Sequence, residues 1–268
     1  MKKSDLLRKA KYALWIPRKI TRNPKVKGSV ISDLFPLRNG SQWQTHFELL
    51  NVAGLISGDN VLTQEKLARF IFFDGEGEKL AEKLITVPSS GRKTVFLNSE
   101  IDPSISSHAS SFAVFHESQS DGLDIGESFL AERGYTGYSL SNSAIRGYVH
   151  GNFDSLSYKD GKIKAIGNKG LLTRFYTVQH PLRGPATYEF FLSNPTPRSV
   201  SVKVLQGNER EKKWSEIERF ELKSRGSRIF RVEKEDEQAS FIRIRSKFYL
   251  GRPVVFRVSG RGLDVFHG

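Results

Sequence analysis

The chain has 268 residues, of which 38% are hydrophobic and 26% charged, a composition typical of a soluble, folded protein with room for two ordinary domains. It contains no cysteine, which excludes disulfides, cysteine-ligated zinc, iron–sulfur clusters and thiol catalysis. The formal net charge of +13 favours an anionic partner.

Most of this charge lies in the first 28 residues, a basic arm with ten lysines and arginines against Asp5, which is +9 of the +13. Within the arm, residues 4–16 carry apolar side chains at helical spacing behind a candidate N-cap at Ser4. We expect a short basic amphipathic helix that lies on an anionic membrane surface, with a solvated tail, a partner groove or nucleic acid as alternatives. The residues predicted to contact an anionic surface are Lys2, Lys3, Arg8, Lys9, Lys11, Trp15, Arg18 and Lys19.

Targeting signals are not evident in the arm. Its apolar stretch at residues 13–16 ends at Pro17 and is too short for a signal peptide, and no segment is long enough for a membrane span. We therefore expect a cytoplasmic protein, with peripheral attachment to the inner face of a membrane as an option that the arm leaves open.

From residue 29 onward, apolar residues alternate with polar ones in short runs separated by turn residues, which predicts an all-β fold. The expected strands are Trp43–Leu50, 69–73, 80–87, 94–97 and 112–116. The Asp160-Gly161 pair between lysines predicts a tight hairpin.

The second half of the chain repeats the order of the first, which indicates an internal duplication. Residues 47–51 align with 190–194, 85–97 with 220–232, 111–112 with 240–241, and 149–151 with 266–268. We predict two tandem homologous antiparallel β-sandwich units, 29–151 and 165–268, preceded by the arm (1–28) and joined by a connection (152–164). A single larger barrel and a fused double jelly roll are the alternatives.

Histidines stand at the ends of four predicted strands and are candidate metal ligands or general bases: His116, His150, His180 and His267. Because the duplication aligns His150 with His267, a pseudo-twofold arrangement would bring these two candidate catalytic residues to one cleft between the units. None of the spacings forms a local metal motif, so a purely structural role is the alternative. No cofactor is predicted, although a divalent metal is compatible with these residues.

A polar ligand is predicted to contact two further groups of residues. Residues 117–138 form a long polar insertion whose carboxylates, arginine and tyrosines suit a sugar or calcium, or simply a solvated loop. Arg146 and Arg174 stand beside aromatic residues and would hold an anionic group. The candidate ligand-binding residues are Asp121, Asp124, Arg133, Tyr135, Tyr138, Arg146 and Arg174.

Catalytic motifs are not evident: the sequence has no phosphate-binding loop, no nucleophile elbow, no HExxH pair and no EF-hand. The first hypothesis is accordingly a non-catalytic binding or assembly protein that recognises a glycan or a protein and is tethered to an anionic surface by its arm. The second is an enzyme with a histidine-based, metal-dependent site at the junction of the units. Nucleic-acid binding rests on net charge alone and is less favoured.

Overall fold

A computed structural model describes residues 29–51, 66–88, 92–116, 134–141, 143, 145–151, 155–167, 169–208, 213–248, 252–260 and 262–268. Strands make up 65% of these residues and helices 4%, so the prediction of an all-β fold is confirmed. The arm and its predicted helix lie outside the described residues.

The described elements are nineteen strands and two short helices. Those up to residue 151 are β1 (Val30–Ser32), β2 (Phe35–Pro36), β3 (Trp43–Leu50), β4 (Lys66–Phe73), β5 (Lys79–Val87), β6 (Arg92–Phe96), α1 (Leu97–Glu100), α2 (Pro103–Ser106), β7 (Ser111–His116), β8 (Tyr135–Leu140) and β9 (Arg146–His150). The remainder are β10 (Leu156–Lys159), β11 (Lys162–Ala165), β12 (Lys169–Thr177), β13 (Ala186–Ser193), β14 (Val200–Asn208), β15 (Lys213–Leu222), β16 (Ser227–Lys234), β17 (Phe241–Phe248), β18 (Val254–Ser259) and β19 (Gly262–His267).

These strands form five antiparallel sheets, which we label A to E. Sheet A has the order β1-β10-β11, sheet B β2-β7-β4-β5, sheet C β6-β3-β8-β9, sheet D β16-β13-β18-β19 and sheet E β12-β17-β14-β15. The order in sheet B recurs in sheet E, and that of sheet C recurs in sheet D, with every strand number raised by ten. The predicted duplication is therefore confirmed as repeated β-sheet units.

The repeat extends to local detail at the ends of β3 and β13. Asn51 directly follows β3 and Asn194 directly follows β13, and both are completely buried. The Asn194 amide donates to the carbonyls of Leu222 and Lys223, each at 2.9 Å, and its Oδ1 accepts from the Thr196 backbone N–H at 2.9 Å. Since buried polar groups are costly unless they are bonded, this asparagine holds the β15–β16 turn against the end of β13.

Four buried clusters join the five sheets in series. Sheets A and B share one around Phe73 and Leu156, sheets B and C one around Phe47 and Phe112, sheets C and D one around Tyr138 and Phe256, and sheets D and E one around Phe190 and Val202. Sheets B and D are consequently covered on both faces. Apolar contact thus continues from one half of the chain to the other.

Polar contacts reinforce this seam between the halves. Arg38 donates to the Glu189 carboxylate across it, and the Arg38 guanidinium lies 4.1 Å from the centre of the Trp43 ring. The Ser227 backbone N–H donates to the Gly75 carbonyl at 2.9 Å, which ties the β4–β5 turn to the start of β16.

These contacts correct the expectation of two separate sandwich units. The halves share a buried core, and the segment expected to be a plain connection (152–164) contains β10 and most of β11, which form sheet A with β1. The predicted Asp160-Gly161 hairpin does join β10 to β11, with φ of 49° and 74° at its two turn residues. The domain boundaries themselves stay a prediction.

Candidate functional site

The two histidines aligned by the duplication meet where β9 and β19 run side by side. The ring centres of His150 and His267 are 5.0 Å apart, and Nε2 of His267 lies 3.0 Å from the His150 carbonyl oxygen. Nδ1 of His150 lies 2.6 Å from the Gly151 carbonyl oxygen. Because a carbonyl oxygen only accepts hydrogen bonds, Nε2 of His267 and Nδ1 of His150 each carry a proton in these contacts. The structure therefore brings this pair together and gives each imidazole a backbone acceptor.

The surroundings of His267 keep it neutral. Burial, then the nearby charges of Arg252 and His150, lower its pKa from 6.5 to about 4, against the opposing effect of its bond to the His150 carbonyl. An imidazole with so low a pKa is uncharged at neutral pH, with Nε2 as the donor and Nδ1 as a potential acceptor or metal ligand.

The cavity beside the histidine pair is very small. It has a volume of about 20 Å³ and is bordered by Asp33, Arg252, Gly151 and both histidines. A Cβ at Gly151 would lie 1.5 Å from Oδ2 of Asp33, so a larger residue there would displace the Asp33 carboxylate. The space accommodates about one water molecule and no organic substrate.

The remaining candidate metal ligands lie elsewhere. His116 is buried on β7, paired in register with Ala68 of β4. His180 is exposed, and its ring packs edge-on against Phe266 with 4.7 Å between centres. Among the residues that the structure describes, no three histidine or acidic side chains are grouped so as to hold a metal ion.

A larger groove lies on the same seam, and three arginines are among the residues that line it. It has a volume of about 570 Å³. Its charged and aromatic lining residues are Arg146 of β9, Tyr188 of β13, Arg257 of β18, Asp264 and Phe266 of β19, and His180 and Arg183 between β12 and β13.

Charge in this groove is only partly compensated. Arg257 and Asp264 are 3.2 Å apart and pair with each other. Within the described part of the chain, Arg146 and Arg183 contact no carboxylate. A guanidinium can form paired hydrogen bonds to a carboxylate, sulfate or phosphate. The groove is therefore suited to an anionic ligand.

The other predicted ligand-binding residues are not gathered at this groove. Tyr135 is 46% exposed and its ring lies edge-on to His150. Tyr138 is completely buried, donates to the Pro36 carbonyl at 2.8 Å and belongs to the core. Arg174 on β12 lines neither cavity. Asp121, Asp124 and Arg133 lie outside the described residues, as do Lys2, Lys3, Arg8, Lys9, Lys11, Trp15, Arg18 and Lys19.

Two groove arginines, Arg183 and Arg257, were missed by the sequence reasoning. They are far apart along the chain and meet Arg146 only because the second half folds back onto the first. For Arg183 there was a signal, its place three residues after the candidate His180.

A buried histidine on β3 of sheet C was also missed. His46 is completely buried, and its Nε2 lies 3.2 Å from the Tyr148 hydroxyl. Burial and then the charge of Arg146 lower its pKa. No signal in the sequence pointed to His46, because its close approach to Gly137, where a Cβ would lie 2.1 Å from Nε2 of His46, comes from the pairing of β3 with β8.

None of the helices in the described ranges has the length and apolar character needed to cross a membrane. Comparison with protein-family models, with curated proteins and with solved structures finds no match.

Proposed function

We propose that this protein is a non-catalytic binding protein that recognises an anionic polar ligand, an acidic glycan or an acidic protein segment, in the groove between its halves. The observation that carries the proposal is the pair of guanidiniums, Arg146 and Arg183, facing a space of about 570 Å³ without a carboxylate partner among the described residues.

The composition of the groove supports binding over proton transfer. Arginine does not titrate near neutral pH, and Asp264 is already engaged by Arg257 at 3.2 Å. The ring of Phe266, together with Val265 at the same wall, provides apolar surface against which a sugar ring or an aliphatic side chain would pack.

Titration calorimetry with oligogalacturonate, a sulfated disaccharide and hexaglutamate tests this proposal. Arg146→Ala and Arg183→Ala should each weaken binding of the recognised anion about tenfold, because each removes a charge-assisted hydrogen bond. Arg198→Ala is the matched control, since Arg198 is equally exposed but lies away from the groove. Equal affinities in all variants, or no binding of any of these anions, would refute the assignment.

A second candidate function is an enzyme site at the histidine pair, which is supported by the approach of His150 to His267 and by the lowered pKa of His267. The cavity of about 20 Å³ argues against it, because a substrate would require the seam to open. Elemental analysis of untagged protein tests this candidate: stoichiometric metal that disappears in both His150→Ala and His267→Ala would favour the enzyme, and metal-free protein would count against it.

For the arm we propose a tether to an anionic surface, which on a cytoplasmic protein would be the inner face of a membrane. The support is its charge of +9 within 28 residues and the amphipathic spacing of residues 4–16. Replacing Lys2, Lys3, Lys9 and Lys11 by glutamine in the full chain should reduce sedimentation with phosphatidylglycerol vesicles. Unchanged sedimentation would remove the tether from the proposal.

A further inference from the structure

Sheet E ends at an irregular edge strand that presents two leucines to solvent. Leu171 is 88% exposed and Leu172 is 54% exposed. They lie on β12, where Lys169 pairs with Phe248 and the next paired residue is Arg174, opposite Ser246. Between these two pairs β12 advances by five residues and β17 by only two, so the extra residues of β12 form a bulge. We call residues 170–173 the leucine bulge.

Cations lie along both strands that form this edge. Lys169 and Arg174 flank it on β12, and Arg243, Arg245 and Lys247 lie along β17. Neither β12 nor β17 contains an acidic residue. Phe175, which is 57% exposed, lies with its ring centre 5.4 Å from the Arg245 guanidinium. The edge therefore combines exposed apolar side chains with uniformly positive charge.

We propose that the leucine bulge inserts into the headgroup region of an anionic lipid bilayer, with the surrounding lysines and arginines contacting the lipid headgroups. This proposal rests on the membrane attachment in the proposed function but uses residues separate from the arm. Peripheral binding of this kind increases with the apolar area inserted and with the attraction of each cation to the surface.

The shape of the edge favours a bilayer over two other partners. An added β-strand needs a regular edge, and a bulge interrupts the row of backbone donors and acceptors. A second copy of the chain docked through the same edge would bring two sets of five cations together. An exposed apolar bulge flanked by cations instead fits an anionic bilayer surface.

The corresponding strand in the first half shows that this exposure is specific to the second half. There β2, the counterpart of β12 in the repeated order, is reduced to Phe35–Pro36, and Phe35 is 4% exposed. Phe35 is therefore inside the protein, whereas Leu171, Leu172 and Phe175 of β12 are exposed.

Sedimentation of the full chain with phosphatidylcholine vesicles, with and without phosphatidylglycerol, tests the proposal. The double substitution Leu171→Ser, Leu172→Ser should lower the partition coefficient on anionic vesicles about tenfold and leave only binding that salt abolishes. Leu84→Ser is the matched control, because Leu84 is a 47% exposed leucine on β5; it should bind like the wild type.

A labelling experiment gives a direct readout of insertion, since the chain has no cysteine. A solvatochromic dye on Leu172→Cys should shift to the blue on anionic vesicles, and the same dye on Leu84→Cys should not. If the leucine substitutions change nothing while the arm glutamines abolish sedimentation, the bulge proposal is wrong and the arm tether stands. A blue shift without vesicles that grows with protein concentration would identify a second copy as the partner and overturn the proposal, as would absence of binding to either vesicle.

Discussion

The ion pair between Arg38 and Glu189 joins the two halves, and breaking it gives a direct test of the shared core. Both side chains are largely buried, with 11% and 17% of their surface exposed. The Arg38 guanidinium lies 4.1 Å from the Trp43 ring centre and 5.2 Å from that of Phe256. Burial lowers the pKa of Arg38 and Glu189 opposes that change, so the cation depends on this carboxylate.

Arg38→Ala should lower the free energy of unfolding by about 3–5 kcal/mol, because it leaves the Glu189 charge in a largely dry site and removes a cation–π contact of about 1 kcal/mol. The double variant Arg38→Met, Glu189→Leu should lie within about 1.5 kcal/mol of the wild type, since it removes both charges and retains the volume.

Urea unfolding of the wild type, both single variants and the double variant forms a thermodynamic cycle that isolates the coupling. Arg231→Ala is the control, because the Arg231–Glu233 pair is more than half exposed and should contribute about 0–1 kcal/mol. A loss in Arg38→Ala no greater than in this control would refute the assignment of the pair to the core of the seam.

Three further predictions concern backbone space, a buried amide and pH. Gly77 has φ of +86°, and a Cβ there would lie 2.3 Å from the Ser224 carbonyl oxygen, so Gly77→Ala should lower the free energy of unfolding in urea by roughly 2–4 kcal/mol. Gly161→Ala is the control, because Gly161 has φ of +74° but open space around it, and it should cost only about 1 kcal/mol. Equal losses in the two variants would contradict the clash at Gly77. Asn194→Ala should lower the melting temperature and cost about 2–4 kcal/mol, because it removes the buried amide donor of the Leu222 carbonyl and one of the two donors of the Lys223 carbonyl, which also accepts from the Gly226 N–H. A loss like that of an exposed substitution would contradict this. The pKa of His267 is lowered from 6.5 to about 4, so between these pH values the unfolded chain binds a proton at His267 and the folded chain does not. The stability that the neutral imidazole contributes is therefore fully present above about pH 6.5 and is lost as the pH falls toward 4. With solvent screening of the partly exposed ring included, the loss in free energy of unfolding should be about 1–2 kcal/mol. Comparing urea unfolding of wild type and His267→Gln between neutral and acidic pH checks this, and an identical pH dependence in the two would rule it out.

Local sequence signals were sufficient for the all-β class, for β3 and for the repeat. Trp43–Leu50 was predicted with the bounds that β3 has, because a strand with one face against a core alternates and is bounded by turn residues. The alignment of residues 149–151 with 266–268 placed His150 and His267 at equivalent ends of β9 and β19. The groove could not be predicted in the same way, since Arg146, Arg183 and Arg257 become neighbours only through packing of one half on the other.

The sequence contains a signal for the shared core, namely strands that are apolar at consecutive positions and do not alternate. In a two-layer sandwich each sheet has one face in water, so its strands alternate. The run Phe70–Phe73 in β4 is apolar at every position, and its odd and even members belong to different buried clusters. In β13, likewise, Phe190 packs toward sheet E and Phe191 toward sheet C.

Comparison of each strand with its repeat shows which faces are left for partners. β14 is the counterpart of β4 yet alternates, with Val200, Val202 and Val204 buried and Ser201 exposed between them, because no further sheet formed by the described residues covers sheet E. Sheet B is covered by sheet A, and sheet D by sheet C. The duplication therefore produced two halves with the same strand order but different coverage, and the leucine bulge lies at the edge of sheet E, the terminal sheet of the series.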